Sequence, residues 1–146
     1  MAVLYTPEIL RTALNLVDYP RLDAPGVTVN RRATPCGSQI IVDLNIDAQG
    51  AVKHIGMRVT ACAFGQAAAA IMAQTAIGKN HTQLQAAHDA IARWLRDADA
   101  SIPDWPGIAK LAPARAYPAR HGAILLPFAA MCDALAMPAS PEQHTA

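Results

Sequence analysis

Cysteines are scarce in this sequence. Its 146 residues include only three, Cys36, Cys62 and Cys132, and none of them forms a CxxC pair. An odd number of isolated cysteines does not make a disulfide framework, so we expect free thiols in a reducing compartment. Each cysteine therefore needs its own explanation.

Charge of one sign and long apolar runs are also missing. The formal net charge is +1 and the arginines are scattered, without a basic stripe or interleaved aromatic residues, which argues against a nucleic-acid partner. The longest uncharged apolar run, 122–132, is about half of the ~20 residues that a membrane span requires. The first residues show no basic leader followed by an apolar stretch, so we expect a cytoplasmic protein without a membrane partner.

The apolar content is sufficient for one domain with a hydrophobic core. Of the residues, 53% are hydrophobic and 16% are charged, as is typical of a single globular domain. We expect this domain to span residues 1–137 and the polar tail 138–146 to be disordered.

The first half of the chain predicts one helix and a small sheet. Thr6-Pro7-Glu8 is a helix-start pattern, and apolar residues follow at helical spacing until about Tyr19-Pro20. Residues 27–31 form a short candidate strand, and 38–46 alternate apolar and polar residues, as in a strand with one buried face. The turn 47–50 then predicts a hairpin whose second strand includes 55–59.

The second half predicts helices. Residues 64–77 are helical by their alanine content, with Gly78 as the C-terminal signal, and Asn80 with Gln83 forms a capping box before the next helix. Prolines predict a long loop over 101–117 with at most a short helical turn, and 121–135 predict a last helix that Pro127 either starts or kinks. The fold class is therefore α+β: a small antiparallel three-stranded sheet with helices packed on one face.

Two cysteines flank the predicted hairpin. Cys36 precedes the strand 38–46, and Cys62 follows the returning strand, so the antiparallel pairing should bring the two together. Cys62 also precedes a helix, where free N–H groups favour the thiolate that binds metals. The alternative is that both are small buried residues, the usual environment of an isolated cysteine.

A histidine is the third candidate ligand. His121 opens the last helix, and a neutral imidazole is a common metal ligand beside thiolates. Cys132 lies about 16 Å further along that helix, so we assign it to the core. His54 and His88 have no ligand at a suitable spacing and are predicted to be surface residues.

Together these segments resemble the iron-sulfur cluster assembly scaffold family, with the IscU/SufU-like fold that also forms the N-terminal domain of NifU. The resemblance covers nearly the whole chain. The residues that carry it are TPEIL at the start, Cys36-Gly37, DAQGAV at the turn, ACAFGQAAAA around Cys62, Gly78-Lys79-Asn80 and PARHGAILLPFAA.

The resemblance implies a site for a [2Fe-2S] cluster, iron or zinc. Cys36, Cys62 and His121 match the family's ligand positions, whereas Ser38 stands where an Asp is usual and Gly122 where a third Cys is usual. A cluster normally takes four protein ligands, so the fourth would be Ser38, water, a small thiol or a partner's cysteine. Zinc is satisfied by three protein ligands and one exogenous ligand.

Three functions follow from the resemblance. The first is a non-enzymatic scaffold that receives sulfur from a cysteine desulfurase and passes a labile cluster to acceptor apoproteins. The second is a zinc-bound, SufU-like sulfur acceptor, against which the missing third cysteine argues. The third is a metal-free paralogue kept for protein interaction.

Overall fold

The computed structural model describes residues 5–34 and 37–137, which form ten helical and strand elements. Three strands and four α-helices are joined by three 3-10 segments. In chain order these are α1 Pro7–Leu14, the 3-10 segment Asn15–Asp18, β1 Val27–Arg32, β2 Gln39–Ile46, β3 Val52–Thr60, α2 Ala63–Ala76, α3 His81–Arg96, the 3-10 segments Ile108–Ala116 and Pro118–Arg120, and α4 His121–Ala136.

The strands form one antiparallel sheet in the order β1-β2-β3. Val42 pairs with Val29 on β1 and with Met57 on β3, so the apolar positions of neighbouring strands share one face. At the end of the hairpin, Gln39 pairs with Thr60. The predicted α+β class with a three-stranded antiparallel sheet is confirmed.

One face of the sheet is covered by helices. α4 contacts β1 and β2, while α2 contacts β3, α1 and α4. Four consecutive alanines of α2, residues 67–70, have no exposed surface. Such small side chains let α2 lie close to the elements around it, which explains why an alanine-rich helix stands at the centre of the fold.

The helix starts follow the local sequence signals. The Thr6 hydroxyl accepts a hydrogen bond of 3.2 Å from the Ile9 amide, with Pro7 at the first helical position. At α3, the Asn80 side chain accepts from the Gln83 amide, and the Gln83 side chain accepts from the Asn80 amide. Both caps are as predicted, because each depends on residues three apart.

The other face of the sheet carries a buried charge. Asp43 has no exposed surface and accepts hydrogen bonds from Arg21, Thr28 and the Leu22 amide, at 2.6 to 3.2 Å. The segment after α1 crosses the sheet here, and a Cβ at Gly56 would lie 2.1 Å from the Pro20 oxygen. Glycine is therefore required at position 56 for the segment to approach this closely.

Two tryptophans fill the space between helices. The Trp105 indole donates a hydrogen bond of 3.1 Å to the Ile71 oxygen and meets Phe128 edge to face, with ring centroids 5.4 Å apart. Trp94, at the end of α3, lies under the Arg115 guanidinium at 4.8 Å. Both tryptophans are buried.

Two sequence-based expectations about the second half need correction. The predicted loop 101–117 contains the 3-10 segment Ile108–Ala116, longer than the short turn expected, with Pro113 inside it. Of the two alternatives for Pro127, the helix start is excluded, since α4 begins at His121 and includes Pro127, and the kink stays a prediction. In both segments the prolines alone did not predict the helical structure correctly. Leu111 and Phe128 are buried there, and tertiary packing overrides local helix propensity.

None of the helices within residues 5–34 and 37–137 is both long enough and apolar enough to span a lipid bilayer. The predicted tail, 138–146, lies outside the described residues.

Candidate functional site

Cys62 occupies the junction between β3 and α2. It is the N-cap residue of α2, with an extended backbone (φ −65°, ψ 171°), and its side chain makes no capping hydrogen bond. The thiol is free and half-buried. The predicted position at a strand-to-helix joint is therefore confirmed, and the sulfur lies beside a helix end whose amides favour negative charge.

Two hydrogen bonds from Gln66 restrain this junction. Its backbone amide donates to the Cys62 oxygen at 2.9 Å, and its side-chain Nε2 donates to the Ala61 oxygen at 2.9 Å. The sequence analysis predicted a helix over 64–77 but assigned no role to Gln66. A polar amide in the first turn of a helix was the available signal, since such side chains often bond the chain that enters the helix.

Cys36 lies outside the described residues, but the segments around it are placed. The turn between β1 and β2 is closed by hydrogen bonds from the Ala33 amide to the Ser38 oxygen and from the Gly37 amide to the Ala33 oxygen, both 2.9 Å. This turn and Cys62 flank the same end of the β2-β3 hairpin, where Gln39 pairs with Thr60. The proximity of Cys36 to Cys62 stays a prediction.

Two glycines mark where three chain segments meet. A Cβ at Gly65 in α2 would lie 2.7 Å from the Ala61 Cβ and 3.2 Å from the Ala123 Cβ. A Cβ at Gly122 in α4 would lie 3.7 Å from the Ala33 Cβ. The Cys62 junction, the start of α4 and the β1-β2 turn are therefore neighbours at one end of the molecule.

His121 opens α4 and is half-buried. Its Nε2 lies 3.1 Å from the Ala114 oxygen and 3.2 Å from the Arg115 oxygen. Carbonyl oxygens only accept hydrogen bonds, so Nε2 carries the proton and, in the neutral ring, Nδ1 carries the lone pair. Metal-binding histidines typically donate their second N–H to a carbonyl in this way.

Ser38 is buried directly before β2, close to the turn that holds Cys36. Its proposed role as an additional ligand stays a prediction.

Cys132, His54 and His88 have different surroundings. Cys132 is buried in α4, and burial together with the Asp133 and Asp89 charges raises the pKa of its thiol to about 11. Its assignment to the core is confirmed. His54 is exposed on β3, as predicted, whereas His88 on α3 is half-buried, with Nδ1 3.1 Å from the Asp89 carboxylate.

Within residues 5–34 and 37–137, no three His, Cys, Asp or Glu side chains form a group that could hold a metal ion. Of the predicted ligands, this part of the chain includes Cys62 and His121 but not Cys36. The donor types, a free thiol and an imidazole with a fixed N–H, suit iron or zinc.

Known structures resemble this chain over most of its length. The crystal structure of a nitrogen-fixing NifU-like protein (N-terminal) from Brucella abortus is 32% identical, with a TM-score of 0.81 over 90% of this chain and 92% of that one. A putative iron-sulfur cluster assembly scaffold protein for the SUF system from the thermophile Fervidobacterium islandicum AW-1 is 17% identical, with a TM-score of 0.78 over 90% of this chain and 96% of that one.

A third crystal structure, of a hypothetical protein, is 19% identical, with a TM-score of 0.72 over 89% of this chain and 98% of that one. The search of protein-family profiles and that of curated sequences gave no match. The identity to the Brucella protein, which extends over nine-tenths of both chains, shows that this chain belongs to the NifU-like family with the IscU/SufU-like fold.

Proposed function

We propose that this protein is a scaffold on which iron and sulfide assemble into a labile [2Fe-2S] cluster. The cluster is cargo: it forms at the end of the molecule where the Cys62 junction, His121 and the β1-β2 turn meet, and it is then passed to acceptor apoproteins. The observation that carries the proposal is this meeting of three segments, marked by the contacts at Gly65 and Gly122. Membership of the NifU-like family supports it.

The proposed ligands are Cys36, Cys62 and His121, with Ser38 as a possible addition. Thiolates and imidazole are the side chains that hold [2Fe-2S] clusters in proteins. The hydrogen bonds from His121 Nε2 to two carbonyls leave Nδ1 as the donor atom. Three protein ligands instead of four would bind the cluster less tightly, which is consistent with its transfer to an acceptor.

The scaffold needs partners rather than catalytic residues of its own. A cysteine desulfurase would supply the sulfur, and acceptor proteins would receive the cluster, in the cytoplasm. Neither a nucleic-acid nor a membrane partner is part of this proposal.

The principal test is metal and sulfide analysis of protein purified without oxygen. We expect iron and acid-labile sulfide in the wild type and their loss in Cys62→Ser and His121→Ala. Cys132→Ser is the matched control, because that thiol is buried in the core and should not affect binding. Zinc near one equivalent would instead favour the sulfur acceptor, and absence of both metals would favour the interaction paralogue.

A second test adds a ligand. Gly122 does not have a positive φ, and outside its own helix turn the described neighbour of a new Cβ would be the Ala33 Cβ, at 3.7 Å. Gly122→Cys should therefore fold and place a thiol beside His121. We expect the variant's cluster to survive a chelator about tenfold longer, since a tenfold change is only about 1.4 kcal/mol. Equal lifetimes would contradict the position of residue 122 at the site.

A further inference from the structure

The first helix carries an exposed apolar stripe. Leu10, Leu14 and Val17 keep 48%, 69% and 79% of their surface exposed, and the last two are the most exposed large apolar residues in the described part of the chain. The three follow at intervals of four and three residues along α1 and the 3-10 segment Asn15–Asp18. This spacing places them on one side of the helix, as in the contact seam of a coiled coil. We call these three residues the α1 stripe.

The α1 stripe is not the surface that attaches α1 to the rest of the protein. The helix packs through Ile9, Thr12 and Ala13, which are buried, and it contacts mainly α2. Apolar side chains in water gain free energy when a second apolar surface covers them. The α1 stripe is therefore available to another molecule.

Two charges of opposite sign flank the α1 stripe. Arg11 directly follows Leu10, and Asp18 directly follows Val17. Each charge thus has the same offset from a stripe residue, and at about 100° per residue both lie on the same side of the stripe. Both residues are exposed, and neither forms an ion pair in the described part of the chain.

This arrangement is complementary to itself. If a second copy lies antiparallel, with a two-fold axis at Leu14, Leu10 of each copy lies against Val17 of the other. The same axis brings Arg11 of each copy close to Asp18 of the other. Two apolar contacts and two contacts between opposite charges therefore form together, which is the pairing that sets orientation in antiparallel coiled coils.

We propose that the α1 stripe is the contact surface between two copies of this chain, which pair antiparallel about Leu14. Three side chains supply less than the ~800 Å² per partner that a stable interface buries, so the dimer is weak, with a dissociation constant on the order of 100 µM.

The pairing leaves the proposed cluster site accessible. The Tyr5 ring, just before α1, meets the Phe64 ring near the start of α2, with centroids 5.2 Å apart. The start of α1 therefore lies at the end of the molecule where Cys62 begins α2. Antiparallel pairing about Leu14 separates the two α1 starts by about 24 Å, so the two sites do not meet.

Sedimentation equilibrium of the full chain from about 5 to 500 µM tests the proposal. The weight-average mass should rise from that of one copy towards that of two. Leu14→Gln should raise the dissociation constant at least about tenfold, because it places a polar amide at the centre of the contact. Ile102→Gln is the matched control, since Ile102 is 55% exposed but lies outside the α1 stripe, and it should leave the constant unchanged.

Charge exchange tests the antiparallel arrangement. Arg11→Glu alone sets two carboxylates against each other at both charge contacts, and Asp18→Lys alone sets two cations there, so each variant should dimerise about tenfold more weakly. In an equal mixture of the two variants, a mixed dimer has opposite charges at both contacts. The mixture should therefore associate with about the wild-type constant, a recovery that apolar association alone does not produce.

The outcomes identify what covers the stripe. Protein that stays monomeric over the whole range overturns the proposal, and binding of that monomer to anionic phospholipid vesicles, if Leu14→Gln abolishes it, would assign the stripe to a membrane surface instead. A dimer that Leu14→Gln does not weaken also overturns the proposal, because another surface is then in contact. A mixture no more associated than either charge variant alone overturns the antiparallel arrangement. None of these outcomes depends on metal binding, so failure here leaves the proposed function intact.

Discussion

Asp43 lies within β2 and Cys62 directly follows β3, but the two side chains differ in burial and in hydrogen bonding. Asp43 is fully buried, and its carboxylate accepts four hydrogen bonds, two of them from Arg21. Cys62 is half-buried, and its side chain makes no capping bond at the start of α2.

This difference distinguishes a side chain that stabilises the fold from one that can still bind a ligand. A buried carboxylate with every partner inside the protein is costly to disturb and offers nothing to a ligand. A half-buried thiol at a helix start, without a capping hydrogen bond, keeps its bonding capacity for another molecule. We therefore expect changes around Asp43 to alter stability and changes around Cys62 to alter binding.

The largest effect is expected from Asp43→Asn. The amide cannot satisfy Arg21, and the Leu22 amide and Thr28 hydroxyl lose a charged acceptor, so the free energy of unfolding should fall by about 3 kcal/mol. Urea unfolding followed by far-UV circular dichroism measures it. Asp23→Asn is the matched control, because Asp23 is exposed in the same crossing segment. Equal stabilities of the two variants would contradict the structural role of Asp43.

The same carboxylate should make stability depend on pH. Burial alone would raise the pKa of Asp43, but the hydrogen bonds from Arg21, Thr28 and Leu22, with the Arg21 charge, outweigh it and the pKa lies below its ordinary value. Its stabilisation is therefore complete above the unfolded-state pKa of about 3.9 and is lost as pH falls through the folded-state pKa. The wild type should lose stability more steeply than Asp43→Asn below about pH 4.

A smaller loss is expected where α2 and α4 touch. The Cβ of Gly65→Ala would press on Ala61 and Ala123, and we expect a loss of about 2 kcal/mol, larger than the helix-propensity gain of up to about 1 kcal/mol. Gly122→Ala, whose Cβ would make an ordinary contact of 3.7 Å with the Ala33 Cβ, should stay within about 0.5 kcal/mol of the wild type. If both variants unfold like the wild type, the close approach of the two helices is wrong.

The smallest effect is expected from Gln66→Met. This change keeps the side-chain length but removes the hydrogen bond to the Ala61 oxygen, at a cost of about 1 kcal/mol in unfolding free energy. Metal affinity should fall as well, because the Cys62 junction loses one of its two restraints. An affinity identical to the wild type's, measured by competition with a chelator, would show that Gln66 does not position the cysteine.

The sequence was informative where structure depends on near neighbours. Strand alternation in 38–46 and the capping box at Asn80 and Gln83 predicted β2 and the start of α3. The partners of Asp43 could not be predicted, because Arg21 is 22 residues away and is placed by the segment that crosses the sheet. The continuity of α4 through Pro127 depends likewise on tertiary packing.

At the site, the hairpin and the helix start predicted the placement of Cys62 and His121, since each follows from a local pattern. The approach of Gly122 to Ala33 could not be predicted, because the two residues are far apart in the sequence. The hydrogen bonds of His121 could not be predicted either, because their acceptors lie in the 3-10 segment Ile108–Ala116, where the prolines indicated a loop. The role of Gln66 was missed because a single residue at the start of a helix gives little periodic signal.

The two buried indoles make the protein its own fluorescent reporter. Trp94 and Trp105 are the only tryptophans in the chain: Trp94 belongs to the end of α3, and Trp105 is hydrogen-bonded to the middle of α2. Replacing either with Phe leaves a single emitter that senses one half of the helical layer. Coincident emission changes from the two variants during unfolding would identify the helices as one cooperative unit, and separate transitions would show which half opens first.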